Sequence, residues 1–122
     1  MRAGVRTIRL SYSDLERRSH AFARLLMERR VAPGDRVVIW AANQPDWVSA
    51  MFGSFLAGAV VVPLDVRSSR EFVERVIAQT EPVLAFGGRP KAPVLRELEI
   101  PTLEIETLKL ALYGPVTPAS VT

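Results

Sequence analysis

The stretch Gly34 to Asp65, GDRVVIWAANQPDWVSAMFGSFLAGAVVVPLD, leaves few options other than a buried strand-helix-strand unit. Val37 to Trp40 and Ala59 to Val62 are apolar runs rich in β-branched residues, with no polar alternation, and such runs suit parallel strands covered on both faces. Between them Asn43 is placed to cap a helix, Pro45 falls where a first helical turn tolerates proline, and Gly58 supplies a left-handed residue that ends it. The spacing predicts a helix over about Pro45 to Ala57. Val48, Met51, Phe52, Phe55 and Leu56 recur on it at helical intervals and are expected in the core, while Ala50, Gly53 and Ala57 are small enough for close backbone approach.

The flanking residues extend the same alternation of elements. Val5 to Leu10 reads as a half-buried edge strand. Ser11 with Asp14, and Ser13 with Glu16, are competing capping patterns for a helix that runs to about Arg30 and buries Leu15, Phe22, Leu25 and Leu26. Ala32-Pro33-Gly34-Asp35 is a turn. Pro63 is expected to close the second apolar strand because it cannot donate to a ladder. Ser68 with Glu71 predicts a further helix that buries Phe72, Val73, Val76 and Ile77 and ends near Thr80. Pro82 to Phe86 is the next strand, Arg89-Pro90-Lys91-Ala92-Pro93 a stiff basic loop, and Thr102 to Ile105 a short strand. A β-α-β-α-β-α-β order with helical crossovers implies a mostly parallel sheet with helices on both faces, a flavodoxin-like or Rossmann-like α/β fold. Val37 to Trp40, Ala59 to Val62 and Val83 to Phe86 are predicted to be neighbouring parallel strands.

Composition narrows the function classes. With 122 residues the chain has the length of one domain, expected at 1–106 with a connector at 107–122. Absent cysteine excludes disulfides and thiolate chemistry. His20 is the lone histidine, so no metal site is expected. The first residues lack the apolar core of a signal peptide and no apolar run reaches the roughly 20 residues of a membrane span, which suggests a cytoplasmic protein. Residues 1–36 carry nine arginines against Asp14, Glu16, Glu28 and Asp35, a local balance of +5 within an overall +3. A basic nucleic-acid-binding domain is one function class for such a charge. Yet Arg17, Arg18, Arg24, Arg29 and Arg30 fall on the polar side of an amphipathic helix, with no aromatic-interleaved ridge beside them.

In parallel sheets of this kind ligands sit beyond the carboxyl ends of the strands. Those ends lead here into Ala41 to Asn43, Asp65 to Ser68 and Gly87 to Lys91. Neither G-x-G-x-x-G nor G-x-x-x-x-G-K-[ST] occurs, so no dinucleotide fingerprint or P-loop is supported. Gly53 and Gly58 read as packing and capping residues and Asp65 as a strand-end turn residue. His20, with Glu16 and Arg24 one turn to either side, falls on the margin of its helix rather than in a site. Trp47 suits the core or an interface.

Leu10-Ser-Tyr-Ser-Asp-Leu15, Val31-Ala-Pro-Gly-Asp-Arg-Val37, Asn43-Gln-Pro-Asp-Trp-Val48 and Ala57-Gly-Ala-Val-Val-Val-Pro-Leu-Asp65, in that order and spacing, resemble the N-terminal subdomain of the adenylate-forming enzymes, the AMP-binding superfamily of acyl-CoA synthetases and related ligases. The resemblance covers about residues 7–88. It implies a parent enzyme that joins a carboxylate to the α-phosphate of Mg·ATP and passes the acyl group to the thiol of coenzyme A. It also implies that the phosphate loop, the ribose-binding acid and the catalytic lysine lie C-terminal to this region. On that basis the chain is expected to be a structural subdomain, truncated before the phosphate loop, with no catalytic residue, no metal ligand and no cofactor of its own. ATP, Mg and CoA belong to the full-length enzyme. Arg89 and Lys91 are candidates for the 3′-phosphate of CoA, with a solvated loop as the alternative. The expected partners are the remainder of its own polypeptide, a small carboxylic acid, ATP and CoA, and the isolated chain is expected to self-associate. A stand-alone flavodoxin-like binding module is the alternative function.

Overall fold

The computed structural model describes residues 12–42 and 45–108. In chain order the elements are α1 (Tyr12–Glu28), β1 (Arg36–Trp40), α2 (Pro45–Leu56), β2 (Val60–Leu64), α3 (Arg70–Thr80), β3 (Leu84–Gly87), α4 (Ala92–Glu97) and β4 (Thr102–Glu104). The strand expected at Val5 to Leu10 and most of the connector expected at 107–122 lie outside the described residues. Leu108, inside them, is buried against the core.

All four strands are parallel, in the order β2-β1-β3-β4. Val38 of β1 lies opposite Val62 on one side and Ala85 on the other. The predicted strands are therefore parallel, with β1 between the other two. Because side chains alternate across a strand, β1 serves two cores. Val37 and Ile39 join Phe22, Leu26, Ala50 and Phe86 beneath α1 and α2. Val38 and Trp40 join Leu64, Val73, Ala85 and Leu95 beneath α3 and α4. Helices cover both faces of the sheet, as the apolar runs require.

Helix α2 keeps Met51 against the core but turns the three bulkiest residues of the predicted face outward. Phe52, Phe55 and Leu56 are 41%, 52% and 54% exposed, while Ser49, Ala50 and Ser54 are fully buried. The cause is the tight approach of α1. A Cβ on Gly53 would stand 2.5 Å from the Cβ of Phe22 and 2.7 Å from the carbonyl oxygen of Ser19. Only small residues fit this crossing, so the bulky ones are displaced to the outer face. Ser54 satisfies its buried hydroxyl by donating to the Ala50 carbonyl at 2.8 Å. Arg18, expected among the solvated arginines, instead reaches Asp46 at the start of α2 at 3.2 Å, and that carboxylate is almost fully buried.

Four further expectations are corrected. Strand β2 continues through Pro63 to Leu64. The Val60 amide donates to Asp35 on the β1 side, so alternation turns the position of Pro63 toward the open edge, where a missing N–H breaks no ladder bond. Ser69, not Ser68, caps α3, its side chain accepting from the Phe72 amide at 3.1 Å. Phe72 itself is exposed, with Val73 as the buried residue of that helix. The segment after Lys91 is helical, because Pro93 falls in the first turn, where proline breaks no hydrogen bond, and Ala92 and Leu95 are buried. Gly58 ends α2 at φ +80° as predicted.

Candidate functional site

The carboxyl ends of β1, β2, β3 and β4 bring Trp40, Asp65, Lys91 with Arg89, and Glu104 to one end of the sheet. Trp40 is the last residue of β1. Its ring lies in the core beneath α3 and α4, and its indole Nε1 donates to the Asp65 carbonyl at 2.8 Å, joining the ends of β1 and β2. The Asp65 carboxylate accepts from the Arg67 amide at 2.8 Å and pairs with its guanidinium at 2.9 Å. These bonds, chiefly the side-chain one from Arg67, lower the Asp65 carboxyl to about 2. Asp65 is the strand-end turn residue that the sequence implied.

On the other side of β1, Gly88 bends the chain out of β3, its amide donating to the Trp40 carbonyl at 3.0 Å. A Cβ on Gly88 would meet Ala41 at 3.3 Å, so the turn packs closely on the strand beside it. Arg89 and Lys91 follow, and the structure sends them in different directions. The Arg89 Nε lies 3.3 Å from Oε1 of Glu104, whose same oxygen accepts from the Thr107 hydroxyl at 2.7 Å. The Thr107 bond, then the Arg89 charge, holds the Glu104 carboxyl below its ordinary value. Lys91 places its Nζ 4.8 Å from the centroid of the Trp40 ring and forms no ion pair among the described residues. Among the described residues, this end of the sheet thus carries two cations held by carboxylates, Arg67 and Arg89, and one held by an aromatic face, Lys91.

Trp40 and Glu104 have no functional mark in the sequence. Trp40 reads there as one more apolar strand residue, and Glu104 lies in a three-residue strand of weak signal. His20 is exposed on α1 and, with Glu16 and Ser19, edges a groove of about 360 Å³ whose apolar wall is Tyr12, Leu15, Phe52, Phe55 and Leu56. Trp47 is half-buried against the core, as expected. Among the described residues no cluster of His, Cys, Asp and Glu could hold a metal ion, and no helix is long and apolar enough to cross a membrane. What this end of the sheet offers chemically is positive charge on a rigid frame.

Comparison with known proteins bears on the whole chain. The family model for the AMP-binding enzyme matches residues 2–119. An L-proline–[L-prolyl-carrier protein] ligase of Streptomyces coelicolor is 30% identical over 92 residues, covering 75% of this chain and 17% of the relative. A long-chain-fatty-acid–CoA ligase of Mycobacterium bovis is 37% identical over 93 residues, covering 74% of this chain and 15% of the relative. The structure superposes on the crystal structure of VinN with a TM-score of 0.79 at 29% identity, covering 84% of this chain and 28% of that one. The chain therefore spans less than a third of the length of each of these proteins. A family match over nearly every residue, in a chain whose structure superposes on VinN, places it in a family: the chain belongs to the AMP-binding enzymes, as an adenylate-forming ligase segment.

Proposed function

We propose that this chain is the N-terminal subdomain of a ligase that activates a carboxylate with ATP as an acyl adenylate and transfers it to the thiol of coenzyme A. The observation that carries the reading is the match of the family over residues 2–119, on a sheet whose order and helical cover follow from the same segments. The names of the relatives supply the chemistry: one couples an amino acid to a carrier protein, the other a fatty acid to coenzyme A. A carboxylic acid is the shared substrate class and a thiol carrier the acceptor.

The turn from Gly87 to Ala92 does not fit the phosphates of Mg·ATP. Gly87-Gly88 opens onto Arg89 and Pro90 rather than onto a run of free amides, and Gly88, Lys91 and Ala92 donate their amides within the chain. In this reading nucleotide binding and stabilisation of the transition-state charges fall to other residues of the enzyme. The residues that fit a cofactor are Lys91 and Arg89, as cations for a phosphate of coenzyme A. The chain's role is to hold that edge rigidly and to form one wall of the enzyme.

The test is a chimera. Residues 12–108 replace the aligned segment of the prolyl ligase, and ATP–pyrophosphate exchange is measured with proline and with long-chain fatty acids. Exchange within about tenfold of the parent supports equivalence of the subdomains. A chimera that folds but does not exchange overturns the reading. Transfer to coenzyme A rather than to a carrier protein is then read from the product formed with each acceptor.

A further inference from the structure

Lys91 is the cation at the carboxyl end of the sheet with no carboxylate partner among the described residues, and its place is set by a side chain from another strand. We propose that Trp40 is a positioning residue that holds the Lys91 ammonium ready for a phosphate-bearing anion. This rests on the reading of Lys91 given above and goes beyond it in naming what aims the charge.

Both halves of the contact are anchored. The indole is 2% exposed, packs among Leu64, Val73, Ala85 and Leu95, and is pinned by its N–H to the Asp65 carbonyl at 2.8 Å, so it cannot swing without losing that bond. The Lys91 backbone is fixed by its amide to the Gly88 carbonyl at 2.9 Å and by its own carbonyl, which accepts from Leu95 at 3.1 Å. Between these fixed points a normally mobile side chain lies with Nζ 4.8 Å from the ring centroid. An aromatic face attracts the ammonium through its quadrupole but, unlike a carboxylate, leaves the net charge in place. The ammonium is a compact point charge with three donors, and those turned from the ring remain for an anion. Arg89 stands two residues away but is engaged by Glu104 at 3.3 Å. Lys91 is thus the cation of this turn whose charge no carboxylate offsets among the described residues, and the ordering of its side chain has already been met in the free protein.

The competing account makes the stacked lysine only a cover for the indole, in which case Trp40 affects stability and nothing else. The 122-residue chain is titrated with inorganic phosphate and with coenzyme A, followed by the NMR signals of the Lys91 Cε protons. In the free protein those protons are expected upfield, under the ring current of Trp40. Trp40→Leu should bind about two- to fivefold more weakly than wild type, the loss expected for one such contact at a partly exposed site, and Trp40→Phe, which keeps a ring but loses the N–H anchor, should fall between the two. Trp40→Leu that binds both anions as well as wild type overturns the proposal, as do unshifted Cε protons, a readout that needs no variant to fold. Lys91→Ala that binds both anions unchanged would instead remove the anion-binding reading itself. Loss of coenzyme A binding with phosphate binding unchanged would overturn the role assigned to a phosphate.

Discussion

Gly53 shows how much one missing methyl group decides. Alanine favours a helix over glycine by about 1 kcal/mol, so an exposed Gly53 would be improved by the change. Here the added Cβ would meet the Ser19 carbonyl at 2.7 Å and the Ala23 amide at 3.0 Å, backbone atoms that no rotamer change can move. Overpacking of this kind costs about 1–3 kcal/mol or more and outweighs the helix gain. Gly53→Ala is expected to lower the denaturation midpoint, and an unchanged or raised midpoint would separate α1 from α2. Asp65 gives a prediction in pH. Its carboxyl titrates near 2 in the folded chain against an ordinary 3.8, so it stabilises the fold above about 4 and loses that contribution as the pH falls through 2. NMR titration should place its midpoint near 2, and Arg67→Ala should move it upward toward the ordinary value.

At the scale of elements, the sequence was legible wherever a single force decides. The apolar runs of β1 and β3 announced burial on both faces, and Gly58 announced the end of α2; the similar run of β2 proved to be an edge strand, with Val60 48% exposed. The inner face of α2 was legible only in part: Ala50 and Gly53 were marked for close backbone approach and lie at the α1 crossing, but the bulky residues were misplaced. Hydrophobic periodicity points to Phe52, Phe55 and Leu56, yet the buried positions are Ser49, Ala50, Gly53 and Ser54, because the closeness of α1 selects volume before polarity. Helix α4 was hidden for another reason: Pro90 and Pro93 resemble loop signals, and only the burial of Ala92 and Leu95 shows that a helix begins there. At the candidate site Arg89 and Lys91 were visible as charges. Their separation, one toward Glu104 and one onto Trp40, depends on contacts between strands far apart in sequence. These assignments give a paired prediction. Phe86 is fully buried and packs edge-on against Phe22 with ring centroids 5.4 Å apart, so Phe86→Ala should cost about 3–5 kcal/mol. Phe52→Ala should cost much less by the same urea titration, and equal losses would return Phe52 to the core.

Among the described residues, the exposed face of α1 and α2 is a conspicuous apolar surface. Tyr12, Phe52, Phe55 and Leu56 stand together around one groove, and surfaces of this kind favour association. The isolated chain is expected to self-associate at high concentration and to do so less as Phe55→Glu; sedimentation that finds only monomer in both would contradict this. We propose that this chain contributes scaffold and positive charge to a carboxylate-activating ligase whose groups for adenylation lie elsewhere in the enzyme. The direct measurement is ATP–pyrophosphate exchange by the 122-residue chain with Mg, using proline, aryl acids and long-chain fatty acids as substrates. The account predicts exchange no faster than in a protein-free blank. Exchange above that blank, dependent on the added acid, would contradict it.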